Sequence, residues 1–193
     1  MRRIALLLAA GVVVAVLAVG FSQTEGPGKA PAARRINPET VRRSLAGSPP
    51  PLAVIHSQGN HLLGGGRSAF KTRLAALRGH PVIVNLWAAW CTPCRVEFPS
   101  FQSSSVVHGR RVAFLGIDTR DNHGDALRFL RRFPVSYPSY VDDHGRISTE
   151  LGVQALPTTV FYDRRGRVAY VHQGVYPSRG RLEQDIRRYA LES

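Results

Sequence analysis

The chain has 193 residues, 44% of them apolar and 20% charged, which suffices for one ordinary core and leaves little room for a second domain of normal size. Gly and Pro together stay near average usage, which excludes collagen-like repeats and global disorder, and two Cys exclude a fold stapled by a disulfide network. The net charge of +13 comes from 24 Arg and only two Lys, spread along the chain without zinc-finger spacing, an RNA-binding aromatic motif or a phosphate loop. The expectation is therefore no nucleic-acid partner but a solvated basic surface, open to attraction by anionic lipid.

At the N-terminus, Arg2-Arg3 precedes an uncharged apolar run, residues 4–21. As a helix this run would reach roughly 27 Å, enough to cross a bilayer, and the Arg pair would leave the rest of the chain outside the cytoplasm. Residues 1–21 are thus expected to be a transmembrane anchor or a cleaved signal peptide; export follows from either. Residues 22–51, rich in Gly and Pro, are expected to form an extracytoplasmic linker, within which Asn37 can cap one or two turns of helix that start at Pro38. The folded domain is then expected over 52–193.

Within it, residues 52–56 and 61–63 flank Ser57-Gln58-Gly59-Asn60 and suggest a small β-hairpin. Residues 68–77 place Phe70, Leu74 and Leu77 on one helical face before Gly79-His80-Pro81 breaks the pattern. The nearly continuous apolar run 81–87 predicts a central strand covered on both faces. Residues 92 to about 107 fit a helix, although Pro99 inside it implies a kink or an early end at Phe98. Strands are predicted over 112–117, 139–141, 158–163 and 167–172, with helical segments over 125–133, 147–151 and 179–191. The order predicts an α/β fold with a central mixed sheet and helices on both faces.

The strongest chemical signal is Cys91-Thr92-Pro93-Cys94. A structural zinc needs four ligands; there is no second CxxC, and the seven His lack a close pair at helix spacing, so no metal site is expected. A bridge closing only four residues is a poor staple. A dithiol redox pair fits better, because a CxxC that follows a buried strand and opens a helix puts Cys91 where free N–H groups favour a thiolate. Pro93 suits the first turn, and Cys94, one turn inside, suits the resolving thiol.

The run Asn85-Leu86-Trp87-Ala88-Ala89-Trp90-Cys91-Thr92-Pro93-Cys94-Arg95 with Glu97-Phe98-Pro99, together with Leu156-Pro157-Thr158-Thr159-Val160-Phe161, resembles thioredoxin-like thiol–disulfide oxidoreductases of the membrane-anchored or secreted TlpA/ResA type. The resemblance runs from about residue 52 to 191. It implies a thioredoxin-like fold with a cis-proline loop at Leu156-Pro157-Thr158 facing the dithiol, and Trp90 and Pro93 beside it on the surface that meets the partner chain. It also implies a tuning role for Glu97, set against an exposed residue in the first turns of the helix. Asn85 stands where classical thioredoxins carry a buried Asp, so that general base is missing. The implied activity is reduction of disulfides in exported proteins such as apocytochrome c, without a cofactor, by a monomer recharged by a membrane electron-donor thiol protein. A thiol oxidase using the same cysteines and a copper-binding assembly module are the alternatives.

Overall fold

The computed structural model describes residues 37–192, so the expected anchor 1–21 and the linker up to residue 36 lie outside the described residues. Among the described residues no helix is long and apolar enough to cross a membrane. The chain begins with two short helices, α1 (Pro38–Leu45) and α2 (Pro50–Ser57). Asn37 caps α1 by accepting the Glu39 amide at 2.9 Å, and Pro38 occupies its first turn. The prolines around residue 50 likewise cost nothing at the start of α2, because the first helical N–H groups have no acceptor.

These helices correct two expectations. Residues 38–45 and 50–57 are helical rather than linker, the first helix starting where Asn37-Pro38 predicts, and Leu45 is buried. The expected β-hairpin at 52–63 is absent. Leu52 and Ile55, three residues apart, fall on one helical face and enter the core together. The two-residue strand β1 (Leu62–Leu63) finds its partner far along the chain, parallel to Ser139 and Tyr140.

The remaining elements alternate as the sequence predicts. They are α3 (Gly66–Ala76), β2 (Val82–Trp87), α4 (Thr92–His108), β3 (Ala113–Thr119), α5 (His123–Arg132), β4 (Ser139–Asp142), α6 (Arg146–Glu150), β5 (Thr158–Tyr162), β6 (Val168–Gln173) and α7 (Arg179–Ile186). A π-helical turn, Arg187–Leu191, continues α7. The strands form one mixed sheet in the order β1-β4-β3-β2-β5-β6, parallel from β1 to β2, with β5 antiparallel to β2 and to β6. All six residues of β2 are buried, as its unbroken apolar run requires for a strand covered on both faces.

Helix α4 does not stop at Pro99. It continues to His108, close to the end expected near residue 107, because Phe101, Ser104 and Ser105 bury beyond the proline, and that packing outweighs one lost backbone bond. Phe98 stands edge-on to Trp87 (5.2 Å between centroids) and to Phe129 (4.7 Å), while Trp87 stacks on Phe129. Trp87 is thus a core residue, its indole N–H donating to Ser139 Oγ at 3.1 Å. Gly116 makes room for that bond: a Cβ there would sit 2.1 Å from Ser139 Oγ. The aromatic cluster holds the first turns of α4 against the end of β2, which is where the two cysteines lie.

Candidate active site

Strand β2 delivers residues 88–90 to Cys91, the N-cap of α4. Cys91 and Cys94 form a disulfide with their Cα atoms 5.4 Å apart. The Cys94 amide points at Cys91 Sγ, 3.2 Å away. On reduction that N–H and the unsatisfied donors of the helix start are placed to favour negative charge on Cys91. Cys94 is completely buried, whereas Thr92 and Pro93 are exposed. Trp90 is 60% exposed, an unusual position for an indole, and its N–H donates to the Arg120 carbonyl at 3.1 Å.

The Leu156–Pro157 peptide is cis. Thr158, which opens β5, lies opposite Leu86 near the C-terminal end of β2, so the proline loop sits at the same end of the sheet as the cysteines. The Pro157 carbonyl accepts from Gly174 N at 2.9 Å, and Thr158 Oγ1 donates to the Ala155 carbonyl at 2.7 Å. Of the residues expected to meet a partner chain, Trp90 and Pro93 are open and Leu156 is half-buried, while Pro157 and Thr158 are enclosed.

Glu97 follows Cys94 by three residues on the same helix, a spacing that puts the two side chains on neighbouring positions of one face. It is not exposed: none of its surface reaches solvent. Its Oε1 accepts from Asn85 Nδ2 at 2.7 Å and its Oε2 from the Tyr176 amide at 3.0 Å. Loss of water pushes its carboxyl up to about 7, and the two hydrogen bonds pull only partly back. Asn85 Oδ1 and the Tyr137 hydroxyl are buried without partners, and the Tyr137 oxygen feels the Glu97 charge. A carboxyl poised near neutrality one turn from a resolving thiol can take up and return a proton there.

Two further carboxyls, Asp118 and Asp121, stand at the same rim of the sheet. Asp121 Oδ2 accepts the Ala89 amide, two residues before Cys91, and Oδ1 accepts the Asn122 amide at 2.7 Å. Asp118 is buried at the end of β3, level with Trp87 in the parallel register, and its Oδ1 has no donor. Burial first, then the carboxylates of Asp121, Asp143 and Asp142, push Asp118 up to about 8. Arg95 donates to the Ala89 carbonyl at 2.8 Å, so the Ala89 residue is gripped through both its amide and its carbonyl. The available signal was positional: Asp118 and Asp121 follow the apolar run that forms β3, and parallel strands bring their C-terminal ends to one rim.

This combination of a helix-capping CxxC, a cis-proline loop beside it and a parallel sheet extended by two antiparallel strands defines a thioredoxin-like protein. The chain belongs to the AhpC/TSA family, whose profile matches residues 66–171. It is similar to the thiol:disulfide interchange protein DsbE of Pseudomonas fluorescens biotype C, with 36% identity over 102 residues that cover 52% of this chain and 56% of that one. It is 29% identical to the thiol-disulfide oxidoreductase ResA of Geobacillus thermodenitrificans over 63% of this chain and 67% of the relative. The chain thus spans little more than half the length of the first of these curated relatives. Among solved structures, a DsbE-type thiol:disulfide interchange protein from Chlorobium tepidum superposes with a TM-score of 0.56 at 29% identity, covering 60% of this chain and 84% of that one. A secreted Mycobacterium tuberculosis disulfide oxidoreductase does so at 0.54 and 26% identity, covering 59% and 85%.

Proposed function

We propose that the protein is a thiol–disulfide oxidoreductase that reduces disulfides in exported proteins. The observation that carries this reading is the Cys91–Cys94 pair at the N-terminus of α4, beside the cis-proline loop. In the reduced protein the Cys91 thiolate attacks a client disulfide; a Cys91–client bond forms and one client thiolate leaves. Cys94 then loses its proton to Glu97 and attacks Cys91 Sγ. The Cys91–Cys94 bond closes, the second client sulfur leaves with the electron pair, and a proton restores it as a thiol. One client disulfide and one protein dithiol become a client dithiol and a protein disulfide. Trp90, Pro93 and the backbone at Leu156 line the approach to Cys91, with Pro157 and Thr158 holding that backbone in place.

The direction of transfer is set by the reduction potential of the couple. Equilibrated against a glutathione or stronger dithiol buffer, it should come out near about −250 mV or lower, the range of thioredoxin-like reductants. A value near about −120 mV, that of a strong oxidant, would instead favour a thiol oxidase donating its disulfide to exported proteins. Apocytochrome c is the client proposed first, with a membrane electron-donor thiol protein returning the electrons.

The place of action is proposed from residues 2–21, an Arg pair followed by a run long enough to span a bilayer, and from likeness to a protein described as secreted. The domain then stands outside the cytoplasmic membrane as a monomer. Protease added to intact cells stripped of their wall should digest a tag placed after residue 193; a protected tag would contradict export.

A further inference from the structure

Beside the dithiol lies a cleft of about 500 Å³, bounded on one side by Trp90 and floored by Phe129 and Phe133. Four of its eleven lining residues are arginine, Arg95, Arg120, Arg128 and Arg132, against 24 arginines in 193 residues overall, so the charge is concentrated here about threefold. Two lining residues are acidic, and both are already engaged. Asp121 holds the Ala89 and Asn122 amides, and Asp125 pairs with Arg128. Arg120 and Arg132 are exposed, with no carboxylate within 4 Å among the described residues.

The arginines are also held in place. The Arg132 guanidinium lies over the Phe133 ring, 5.6 Å from its centre. Arg120 has a left-handed backbone (φ 51°), and its side chain lies along Gly145 so closely that a Cβ there would stand 2.3 Å from Nε. Its carbonyl meanwhile fixes the Trp90 indole. Arg95 is anchored on the Ala89 carbonyl. Guanidinium groups positioned without neutralisation, on a partly apolar floor, bind carboxylates at a smaller entropic cost than freely moving surface arginines.

We infer that this cleft selects clients carrying acidic side chains next to the disulfide, with Arg120 and Arg132 as the groups that meet them and Trp90 as the apolar wall between them and Cys91. The inference rests on the exchange reading above, because a client sulfur joined to Cys91 brings its flanking residues past Trp90. An anionic lipid surface would need the same charge, but the cleft adjoins the dithiol rather than a flat basic face.

The test uses the full chain, pre-reduced, and oxidised peptides with one internal disulfide flanked by Glu-Glu or Gln-Gln. At low ionic strength the Glu-flanked peptide should be reduced about tenfold faster, within the range that local steering provides. In the R120Q/R132Q variant that ratio should fall to about two, and R132Q alone, at an exposed helix position, should give an intermediate value. The control R164Q/R165Q removes the same charge from the β5–β6 turn, at the opposite end of the sheet, and should keep the tenfold ratio. Equal loss in both double variants would assign the preference to overall charge, and an unchanged ratio in R120Q/R132Q would show no role for the cleft; either overturns the inference. So would loss of binding to phosphatidylglycerol vesicles with the peptide ratio intact, which would make the site a lipid contact. A wild-type protein that reduces neither peptide would overturn the exchange reading itself.

Discussion

On the proposed exchange reading, replacing Cys94 with serine should leave a trap that stops after one event. Cys91 keeps its place at the cap of α4, where helical N–H groups favour its thiolate, so its attack on a client disulfide survives. What disappears is the buried thiol one turn inside that closes the bond to Cys91 and expels the client. External thiols at millimolar concentration replace an oriented intramolecular group poorly, and turnover should fall at least about 10³-fold. Non-reducing electrophoresis and intact mass should show one client joined per protein through Cys91. C91S should form no adduct at all. Adducts in C91S, or undiminished turnover in C94S, would reverse the assignment of the two cysteines.

Much of this site was legible as a sequence, for a definite reason. A CxxC immediately after an unbroken apolar strand and before a helix is a local pattern, and local patterns survive folding. The same holds for β2, whose apolar run has no other use than a covered central strand. Of the N-terminal helices, α1 is legible in its Asn37-Pro38 start, whereas α2 is hidden because proline-rich composition reads as linker. Yet prolines at the start of a helix are neutral, and what holds α2 is the joint burial of Leu52 and Ile55. For α4 the apolar pattern gave the full length to within a residue, and the Trp87–Phe98–Phe129 packing explains why the early end that Pro99 allows does not occur.

Glu97 shows the limit most clearly. Its turn of helix could be counted from Cys94, but its enclosure depends on Asn85 in β2 and on the Tyr176 amide 79 residues away. Asp118 carries little local signal: Asp121 lies three residues on, but Asp142 and Asp143 join it only when β3 and β4 pair. Long-range burial of polar groups leaves little trace in spacing, whereas it governs the acid–base behaviour of the site.

That behaviour gives the protein an expected pH dependence of stability. Glu97 is held protonated up to about 7 and Asp118 up to about 8, while in the unfolded chain such carboxyls ionise near pH 4. As pH rises through that gap the unfolded chain releases its protons first, so stability is greatest below the unfolded values and declines until the folded groups ionise too. For Glu97 the loss is about 3 kcal/mol, complete above pH 7. Asp118 acts in the same direction over a window reaching pH 8. His56, whose ring is kept neutral by burial, works against this slope below pH 6.5, so the comparison to make is between variants.

E97Q turns an NH2 group towards one of two donors, Asn85 Nδ2 or the Tyr176 amide, which costs about 1 kcal/mol. It also removes the ionisation that weakens the wild type at high pH. Urea denaturation should therefore find E97Q the less stable protein at pH 4 and the more stable one at pH 8, with the curves crossing near pH 5. D118N should flatten the slope further towards pH 8. Curves that run parallel from pH 5 to 8 would mean that Glu97 is ionised throughout, and a carboxylate already charged at pH 5 could not pass a proton to and from Cys94 near neutrality.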